Sequence, residues 1–256
     1  MFRAKAQDGI VWITGASAGI GRAVALHLAG LGYHVAVTAR RAADLEALAL
    51  EAPDRIFAFP GDITDRAAMA RIVAAIEATH GPIALALLNA GVYHTEERKG
   101  FDVDVVWRTI ETNLGGAIYG LGPLLEAMLP RGRGQIALVG SLAGYRGIPG
   151  SLAYGASKSA LIYVAEALKL TYQQAGLTIQ IVNPGFVRTA MTGANDYDMP
   201  LMMEVDQAAR CICDGLARGG FEITFPKRLA WAVKVASLLP HALFFPVMAW
   251  ATRRAR

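Results

Sequence analysis

The sequence predicts an α/β fold, with one doubly wound parallel sheet of about seven strands and helices on both faces. Short, wholly apolar runs alternate with longer stretches in which apolar residues recur at helical spacing. Apolar runs of this kind are typical of strands that are buried on both faces, and their regular alternation with helices is typical of a parallel sheet. No linker or low-complexity stretch divides residues 1–256, so we interpret them as a single domain.

The elements follow one another with little interruption. The predicted strands cover residues 10–14, 35–39, 56–59, 85–89, 135–140, 179–182 and 221–225. The predicted helices cover residues 20–31, 42–51, 65–79, 101–129 and a stretch after Pro149 that runs to about residue 174. Right-handed crossovers would place successive helices on the two faces of the sheet, the arrangement of a Rossmann fold.

Composition and charge narrow the functional classes. The chain is 54% hydrophobic and 18% charged, which argues against disorder and indicates extensive burial in a large core or an oligomer interface. The net charge of +4 is small, and much of the excess lies in Arg253, Arg254 and Arg256. We therefore predict no nucleic-acid-binding surface.

Cysteine usage and the first residues suggest a cytoplasmic protein. Cys211 and Cys213 lie in an apolar, helical stretch, where we interpret them as small core side chains, and the five histidines are scattered. We therefore predict no metal site. The first residues include Arg3, Lys5 and Asp8 and do not resemble a signal peptide.

Tyr154 and Lys158 form the most informative pair in the sequence. Positions four apart on a helix share a face, so a phenol would lie beside an ammonium group. The positive charge favours the phenolate and lowers the pKa of the tyrosine from about 10. A tyrosine in this setting can exchange a proton with an alcohol or a carbonyl compound. Ser141 lies thirteen positions upstream.

A glycine-rich turn connects the first strand to the first helix. Gly15, Gly19 and Gly21 have the spacing G-x-x-x-G-x-G, and glycine lets the backbone turn sharply and approach a pyrophosphate. The helix that follows presents free N–H groups and a positive dipole to such an anion. The alternative is an ordinary structural turn, but the strand before it and the helix after it favour a dinucleotide site.

The end of the second strand indicates which dinucleotide is preferred. A carboxylate at this place would bind the ribose 2′-hydroxyl of NAD, but the sequence has Arg40 and Arg41 instead. Two guanidinium groups suit a 2′-phosphate, so we predict NADP(H). If both arginines are only solvated charges at a helix entry, NAD(H) remains the alternative.

Two further segments follow strands. Asp62 is an acceptor at a place where an adenine amino group could lie, or alternatively a cap for the helix that begins near residue 65. Asn89, Ala90 and Gly91 end the fourth strand with small residues that allow close approach to a ribose, or form an ordinary turn.

Taken together, these segments resemble the short-chain dehydrogenase/reductase superfamily. The resemblance covers about residues 8–190, in the expected order. Its motifs are Thr14-Gly15-x3-Gly19-x-Gly21, Asp62-Ile63, Asn89-Ala90-Gly91, Asn113, Ser141, Tyr154-x3-Lys158 and Pro184-Gly185 with Thr189.

The resemblance implies a role for each matching residue. Tyr154 would be the general acid/base, Lys158 would assist it and bind the nicotinamide ribose, Ser141 would hold the substrate oxygen, and Asn113 would anchor a proton-relaying water. The other implied cofactor contacts are Gly15, Ser17, Gly19, Ile20, Gly21, Asp62, Ile63, Asn89, Ala90, Gly91, Pro184, Gly185, Val187 and Thr189.

The chain departs from the superfamily pattern at Ala18. A basic residue often stands there in NADP-dependent members, so Arg40 and Arg41 would have to select the cofactor. The C-terminal part also lacks the Gly-rich strand exit that is common among the superfamily's reductases, so a close substrate analogy does not follow.

Residues 186–210 are interpreted as a substrate lid. The stretch is apolar and adaptable because it contains Phe186, Met191, Tyr197, Met199 and three apolar neighbours at 201–203, while Gly193 and Pro200 suggest mobility. Packing without substrate contact is the alternative for any single methionine. The candidate substrate contacts are Ala143, Phe186 and Met191.

Residues 227–256 form an apolar C-terminal helical extension. The stretch from 229 to 252 is almost wholly apolar, Lys234 and His241 are its only charged or titratable residues, and basic residues flank both ends. Pro240 and Pro246 should divide it into short helices. Three interpretations follow, in order of preference: a cover over the substrate mouth or a partner subunit, a peripheral contact with a membrane, and a membrane span.

The sequence thus predicts an oxidoreductase that uses NADP(H) to interconvert a small apolar ketone or aldehyde and an alcohol. A protein of the same fold that binds cofactor or docks on a membrane without turnover is the alternative, as is an NAD(H)-dependent alcohol dehydrogenase. The resemblance implies a homodimer or homotetramer that pairs through the helices beginning near Phe101 and Ser151.

Overall fold

One parallel sheet organises the protein, with strand order β3-β2-β1-β4-β5-β6-β7. The computed structural model describes residues 2–98, 100–193, 199 and 201–253. The strands are β1 Ile10–Thr14, β2 Val35–Thr38, β3 Ile56–Ala58, β4 Ile83–Leu88, β5 Gly134–Val139, β6 Leu177–Pro184 and β7 Glu222–Phe225. Every neighbouring pair is parallel, which confirms the predicted doubly wound sheet.

Helices cover both faces of this sheet. They are α1 Gly19–Gly30, α2 Ala42–Glu51, α3 Arg66–His80, α4 Val103–Ile110, α5 Gly116–Met128, α6 Leu152–Tyr172, α7 Ala190–Gly193, α8 Val205–Arg218, α9 Lys227–Ser237 and α10 His241–Arg253. One apolar core lies between the sheet and helices α1, α2 and α8. A second core lies between the sheet and helices α3, α5 and α6.

The alternation of side chains along β1 explains the two cores. Val11 and Ile13 enter the first core, whereas Ile10 and Trp12 enter the second. All five residues of this strand are buried, as expected for the central strand of a sheet that is covered on both faces. The uninterrupted apolar run in the sequence is the consequence of that double burial.

The helix predicted over residues 101–129 is divided by a π-helical turn at Glu111–Gly115, between α4 and α5. The extra residue in a π turn changes which side chains face inward. Here it buries Asn113 completely. Hydrophobic periodicity did not reveal this turn, because both flanking helices keep their own apolar faces.

The C-terminal extension consists of two helices, α9 and α10, which are separated around Pro240. The prediction that Pro246 also breaks the extension is wrong, since Pro246 lies inside α10. A proline removes one hydrogen bond and bends a helix without necessarily ending it. Among the described residues, no helix is long and apolar enough to cross a membrane.

The turn between β1 and α1 brings glycines against neighbouring backbone. A Cβ atom at Gly21 would lie 2.5 Å from the carbonyl oxygen of Gly15 and 2.6 Å from Nδ2 of Asn89. Gly30, at the other end of the same helix, has open space around it.

We expect Gly21→Ala to lower the free energy of unfolding by about 1–3 kcal/mol, because the added methyl group must displace backbone. Gly30→Ala is the matched control, and we expect it to be neutral or to stabilise by up to about 1 kcal/mol. Urea unfolding followed by circular dichroism measures both. Equal effects of the two substitutions would contradict the close packing at Gly21.

Candidate active site

Most of the predicted site residues lie just beyond the carboxyl ends of the strands. The glycine turn follows β1, Asn89 follows β4, Ser141 follows β5 and Gly185 follows β6. The strand order reverses direction between β1 and β4. In open parallel sheets, ligands bind in the crevice at such a switch point.

The glycine turn is held in shape by its neighbours. Gly15 has a φ of +68°, and its N–H donates to the carbonyl of Thr38 at 2.8 Å. Asn89 donates from Nδ2 to the carbonyls of Thr14 and Gly15 at 3.0 and 3.2 Å. A Cβ atom at Gly15 would lie 2.6 Å from Cα of Ala90, so the ends of β1 and β4 touch here.

The N-terminus of α1 is open to an anion. Its N-cap residue, Ala18, provides no side-chain hydrogen bond, and the first turn contains no acidic residue. Ser17 and Ile20, at the turn and in the first turn of α1, are half-buried. Free N–H groups and the helix dipole at this place suit a pyrophosphate, so the turn fits a dinucleotide.

The two arginines after β2 differ in their surroundings. The guanidinium of Arg41 pairs with the carboxylate of Asp44 one turn later in α2. Arg40 is exposed and forms no hydrogen bond or ion pair with any described residue. The sequence treated these arginines as equivalent, but only Arg40 is uncommitted.

Asp62 and Ile63 follow β3. Asp62 accepts from the backbone N–H and the hydroxyl of Thr64 at 3.0 and 2.9 Å. The alternative that Asp62 caps α3 is wrong, because Asp65 is the N-cap and accepts from the N–H of Ala68. Ile63 is almost fully buried.

Lys158 lies at the centre of the site. Its ammonium group is completely buried and donates to the carbonyl of Val139, the last residue of β5, at 2.8 Å. The same nitrogen lies 5.6 Å from the centre of the Tyr154 ring. A Cβ atom at Gly91 would lie 3.2 Å from it. Burial lowers the pKa of Lys158 to about 8.

Asn113 connects three segments around this lysine. Its Oδ1 accepts from the N–H of Val92 at 2.7 Å, and its Nδ2 donates to the carbonyl of Val92 at 3.0 Å. Nδ2 also donates to the Ser157 hydroxyl at 3.0 Å, which in turn donates to the carbonyl of Tyr154 at 2.7 Å. Asn113 therefore joins the end of β4 to α6.

Ser141 follows β5. Its hydroxyl accepts from the N–H of Ala143 at 3.1 Å, which caps a short 3-10 turn at Leu142–Gly144. Tyr93, which the sequence did not single out, packs edge-on against the Tyr154 ring at 5.5 Å between centroids. Tyr93 donates to the carbonyl of Gly150 at 3.0 Å.

The segment after β6 folds back toward the glycine turn. Pro184 ends β6, and the N–H of Gly185 donates to the carbonyl of Phe225 at 2.7 Å. A Cβ atom at Gly19 would lie 3.4 Å from a methyl carbon of Thr189. The segment after β6 therefore lies against the glycine turn at Thr189.

The structure describes residues 186–193, 199 and 201–210 of the predicted lid. Val187 pairs with Met203 in an isolated bridge, and α7 lies between them. Phe186 is half-buried and Met191 is 38% exposed. Tyr197 and Pro200, which the prediction also used, lie outside the described residues.

A cleft of about 520 Å³ opens between α1 and α8, beside Gly19 and Thr189. Its basic side chains include Arg22 and Arg188, which pair with Glu51 and Glu204. The cleft borders the start of α1, and Tyr154 is not part of its lining. In the described part of the chain, no group of three or more acidic, His or Cys side chains is placed to hold a metal ion.

Sequence reasoning also missed a polar cluster beyond β6. Glu222 accepts hydrogen bonds from Tyr145, Asn183 and Lys234. Burial raises the pKa of Glu222, but these three donors outweigh burial and hold it below its usual value. Burial and the Glu222 carboxylate raise the pKa of Tyr145. A carboxylate in a buried strand was the sequence signal that could have indicated this cluster.

Comparison with known proteins decides the family. A family model described as short chain dehydrogenase matches residues 9–199. The chain belongs to the short-chain dehydrogenase family. An uncharacterized oxidoreductase of Myxococcus xanthus (strain DK1622) is 37% identical over 235 residues, which cover 91% of this chain and 93% of that protein.

Two further relatives agree with this assignment. The 3-oxoacyl-(acyl-carrier-protein) reductase MabA of Mycobacterium avium is 33% identical over 193 residues, which cover 73% of this chain and 70% of that protein. The crystal structure of 3-ketoacyl-(acyl-carrier-protein) reductase from Brucella melitensis complexed with NADH superposes with a TM-score of 0.80. That match covers 86% of this chain and 98% of the other at 22% identity, and it shows the fold.

This short-chain dehydrogenase is therefore an oxidoreductase that acts on CH–OH or carbonyl groups with NAD(P). The recognition made from the sequence motifs is confirmed. The match to residues 9–199 contains every candidate site residue.

Burial of Lys158 has a consequence for stability. Its pKa is about 8 in the folded protein and 10.5 in the reference state, so between these values the unfolded chain binds more protons. Stability from this group therefore rises with pH across that window, and below it the buried charge costs about 3 kcal/mol.

We expect the unfolding free energy of the wild type, relative to Lys158→Met, to rise as the pH increases from 8 to about 10. Taking the difference between the two proteins cancels the titration of groups that do not interact with Lys158. Guanidinium unfolding at several pH values measures it. A difference that is flat or falls over this range would contradict a depressed lysine pKa.

Proposed function

We propose that the protein is an NADP(H)-dependent oxidoreductase that interconverts an apolar ketone or aldehyde and the corresponding alcohol, with Tyr154 as general acid/base. The observation that carries the proposal is the buried ammonium of Lys158, which lies beside the Tyr154 ring at the switch point of the sheet. When bound, the nicotinamide supplies or accepts the hydride.

Tyr154 moves the proton in this mechanism. During reduction its hydroxyl donates a proton to the substrate oxygen, and during oxidation it removes one. The positive charge of Lys158 stabilises the negative charge that the tyrosine oxygen then carries. Because this charge is held by the Val139 carbonyl inside the protein, water screens it little.

Two residues position the reacting groups. The Ser141 hydroxyl, fixed at the start of a 3-10 turn by the Ala143 N–H, holds the substrate oxygen near Tyr154. Asn113 fixes the backbone at Val92 and, through Ser157, the α6 turn that carries Tyr154. Both polar atoms of the Asn113 side chain take part in these contacts. This supports a positioning role, in addition to the water-anchoring role that the family resemblance implies.

Arg40 supports the preference for NADP(H). Its guanidinium is exposed and uncommitted at the carboxyl end of β2, where it can pair with a ribose 2′-phosphate. Arg41 already pairs with Asp44, so it contributes less than Arg40 to binding of the 2′-phosphate. No carboxylate stands at the end of β2 to favour a 2′-hydroxyl.

Apolar side chains support an apolar substrate. Phe186, Met191 and Met203 lie in the segment between β6 and α8, and Ala143 lies two residues after Ser141. The outer faces of α4, α5 and α6 support a homodimer or homotetramer, because large apolar side chains are exposed there. They are Val103, Trp107, Ile118, Tyr163 and Leu170.

We expect Tyr154→Phe to lower kcat for carbonyl reduction by about 10²–10⁴-fold, because the proton donor is lost. Binding of NADPH, measured by fluorescence titration, should change by less than about threefold. Tyr163→Phe, an exposed tyrosine on the same helix, is the control and should retain full activity. Near-native turnover of Tyr154→Phe on a panel of apolar carbonyl compounds would refute the mechanism.

We expect Arg40→Ala to weaken binding of NADPH by about 10–100-fold, because a charge-assisted contact with the 2′-phosphate is removed. Binding of NADH should barely change. Arg41→Ala is the matched control, with a smaller effect because Asp44 already occupies that guanidinium. Isothermal titration calorimetry with NADPH and NADH measures these effects. If Arg40→Ala kept the wild-type ratio of NADPH affinity to NADH affinity, Arg40 would not determine the cofactor preference.

A further inference from the structure

The outer surface of α9 is apolar where a helix on a protein surface is normally polar. Trp231 is 68% exposed, Val235 59% and Leu238, directly after the helix, 84%. Their spacing of four and then three residues places them on one face. On α10, Leu243, Phe245 and Val247 are also exposed, and Leu243 and Val247, four residues apart, share a face. We call these six residues the outer apolar face.

The inner side of the same helices carries the polar contacts. Lys234 turns toward the domain and pairs with Glu222. Arg146 donates to the carbonyl of Ser237 at 2.7 Å and stacks over the ring of Phe244, which is buried. The helices are therefore attached to the domain in one orientation. That orientation presents large apolar side chains outward.

The C-terminal segment that contains α9 and α10 is also strongly basic. Residues 227–256 contain six Lys and Arg residues and no Asp or Glu. The rest of the chain holds 19 basic and 21 acidic residues, so the positive net charge of the protein comes from this segment alone. Lys227 and Arg228 are exposed at the start of α9.

We propose that the outer apolar face lies on the surface of an anionic phospholipid bilayer. Large apolar side chains, including a tryptophan, would enter the boundary between head groups and acyl chains, while the exposed Lys227 and Arg228 would meet the lipid phosphates. The segment lies in the plane of the membrane in this arrangement. It does not span the bilayer, because neither α9 nor α10 is long enough.

A second copy of the chain fits this face poorly. A two-fold contact brings the same surface of both subunits together, so it would bring the exposed Lys227 and Arg228 of one subunit toward those of the other, with no carboxylate side chain in the segment to pair with them. The apolar surface on α4, α5 and α6 differs, because acidic and basic residues such as Asp104, Arg108 and Glu111 are mixed into it. That surface suits a second copy, whereas the outer apolar face suits an anionic partner.

Sedimentation with vesicles tests the proposal on the full-length protein. One set of vesicles contains phosphatidylcholine alone, and the other contains phosphatidylcholine with phosphatidylglycerol. We expect the wild type to bind the anionic vesicles more tightly and to be released as salt is raised. A wild type that stays in the supernatant with anionic vesicles at low salt, or that binds both sets equally, would overturn the proposal.

Matched variants locate the contact. Leu238→Glu should weaken binding to anionic vesicles by about tenfold or more, because a side chain that enters the bilayer is lost. Leu50→Glu is the control, since Leu50 is an equally exposed leucine on α2, 79% exposed, and should bind within about twofold of the wild type. Equal losses in both variants would overturn the proposal.

The charge contribution and the rival occupant are tested separately. Arg228→Gln should weaken binding to anionic vesicles by about fivefold without affecting the melting temperature. Light scattering reports the assembly size of the wild type and of Leu238→Glu, and we expect the same size for both. A smaller assembly in Leu238→Glu would identify the face as a subunit contact and overturn the membrane assignment.

Discussion

The ammonium group of Lys158 is buried and donates a hydrogen bond to the carbonyl of Val139 at the end of β5. A buried cation is costly unless its hydrogen bonds are satisfied, so the surrounding structure must hold that carbonyl in place. The strand end at Val139 provides that carbonyl, Gly91 leaves space for the ammonium group, and Asn113 fixes the neighbouring backbone through Val92 and Ser157. The site is thus organised around one charge.

The cofactor turn depends on contact between two strand ends. Asn89 donates two hydrogen bonds to the turn after β1, and Thr14 accepts the backbone N–H groups of Asn89 and Ala90. These contacts leave no space for a Cβ atom at Gly15 or Gly21. Asn89 therefore has a structural role, because it holds in shape the turn that we propose for the pyrophosphate.

The C-terminal helices show how a tertiary contact can reverse a sequence pattern. Lys234 interrupts an apolar segment, and by itself it would be assigned to solvent. Glu222 draws it inward, because a carboxylate in a buried strand requires a donor. The apolar residues of α9 are left facing outward as a result, and Tyr145 in the same cluster ties the helices to the loop after Ser141.

The sequence by itself determined the succession of strands and helices along the chain, the glycine turn and the Tyr154–Lys158 pair. These features depend on periodicities and spacings within one segment. It could not determine the π turn at Glu111–Gly115, the difference between Arg40 and Arg41, or the inward direction of Lys234. Each of these features depends on a contact partner: a residue distant in sequence for the π turn and Lys234, and Asp44, which pairs with Arg41, for the two arginines. Only the packed chain decides such contacts, since the free energy that selects them arises from burial and not from local propensity.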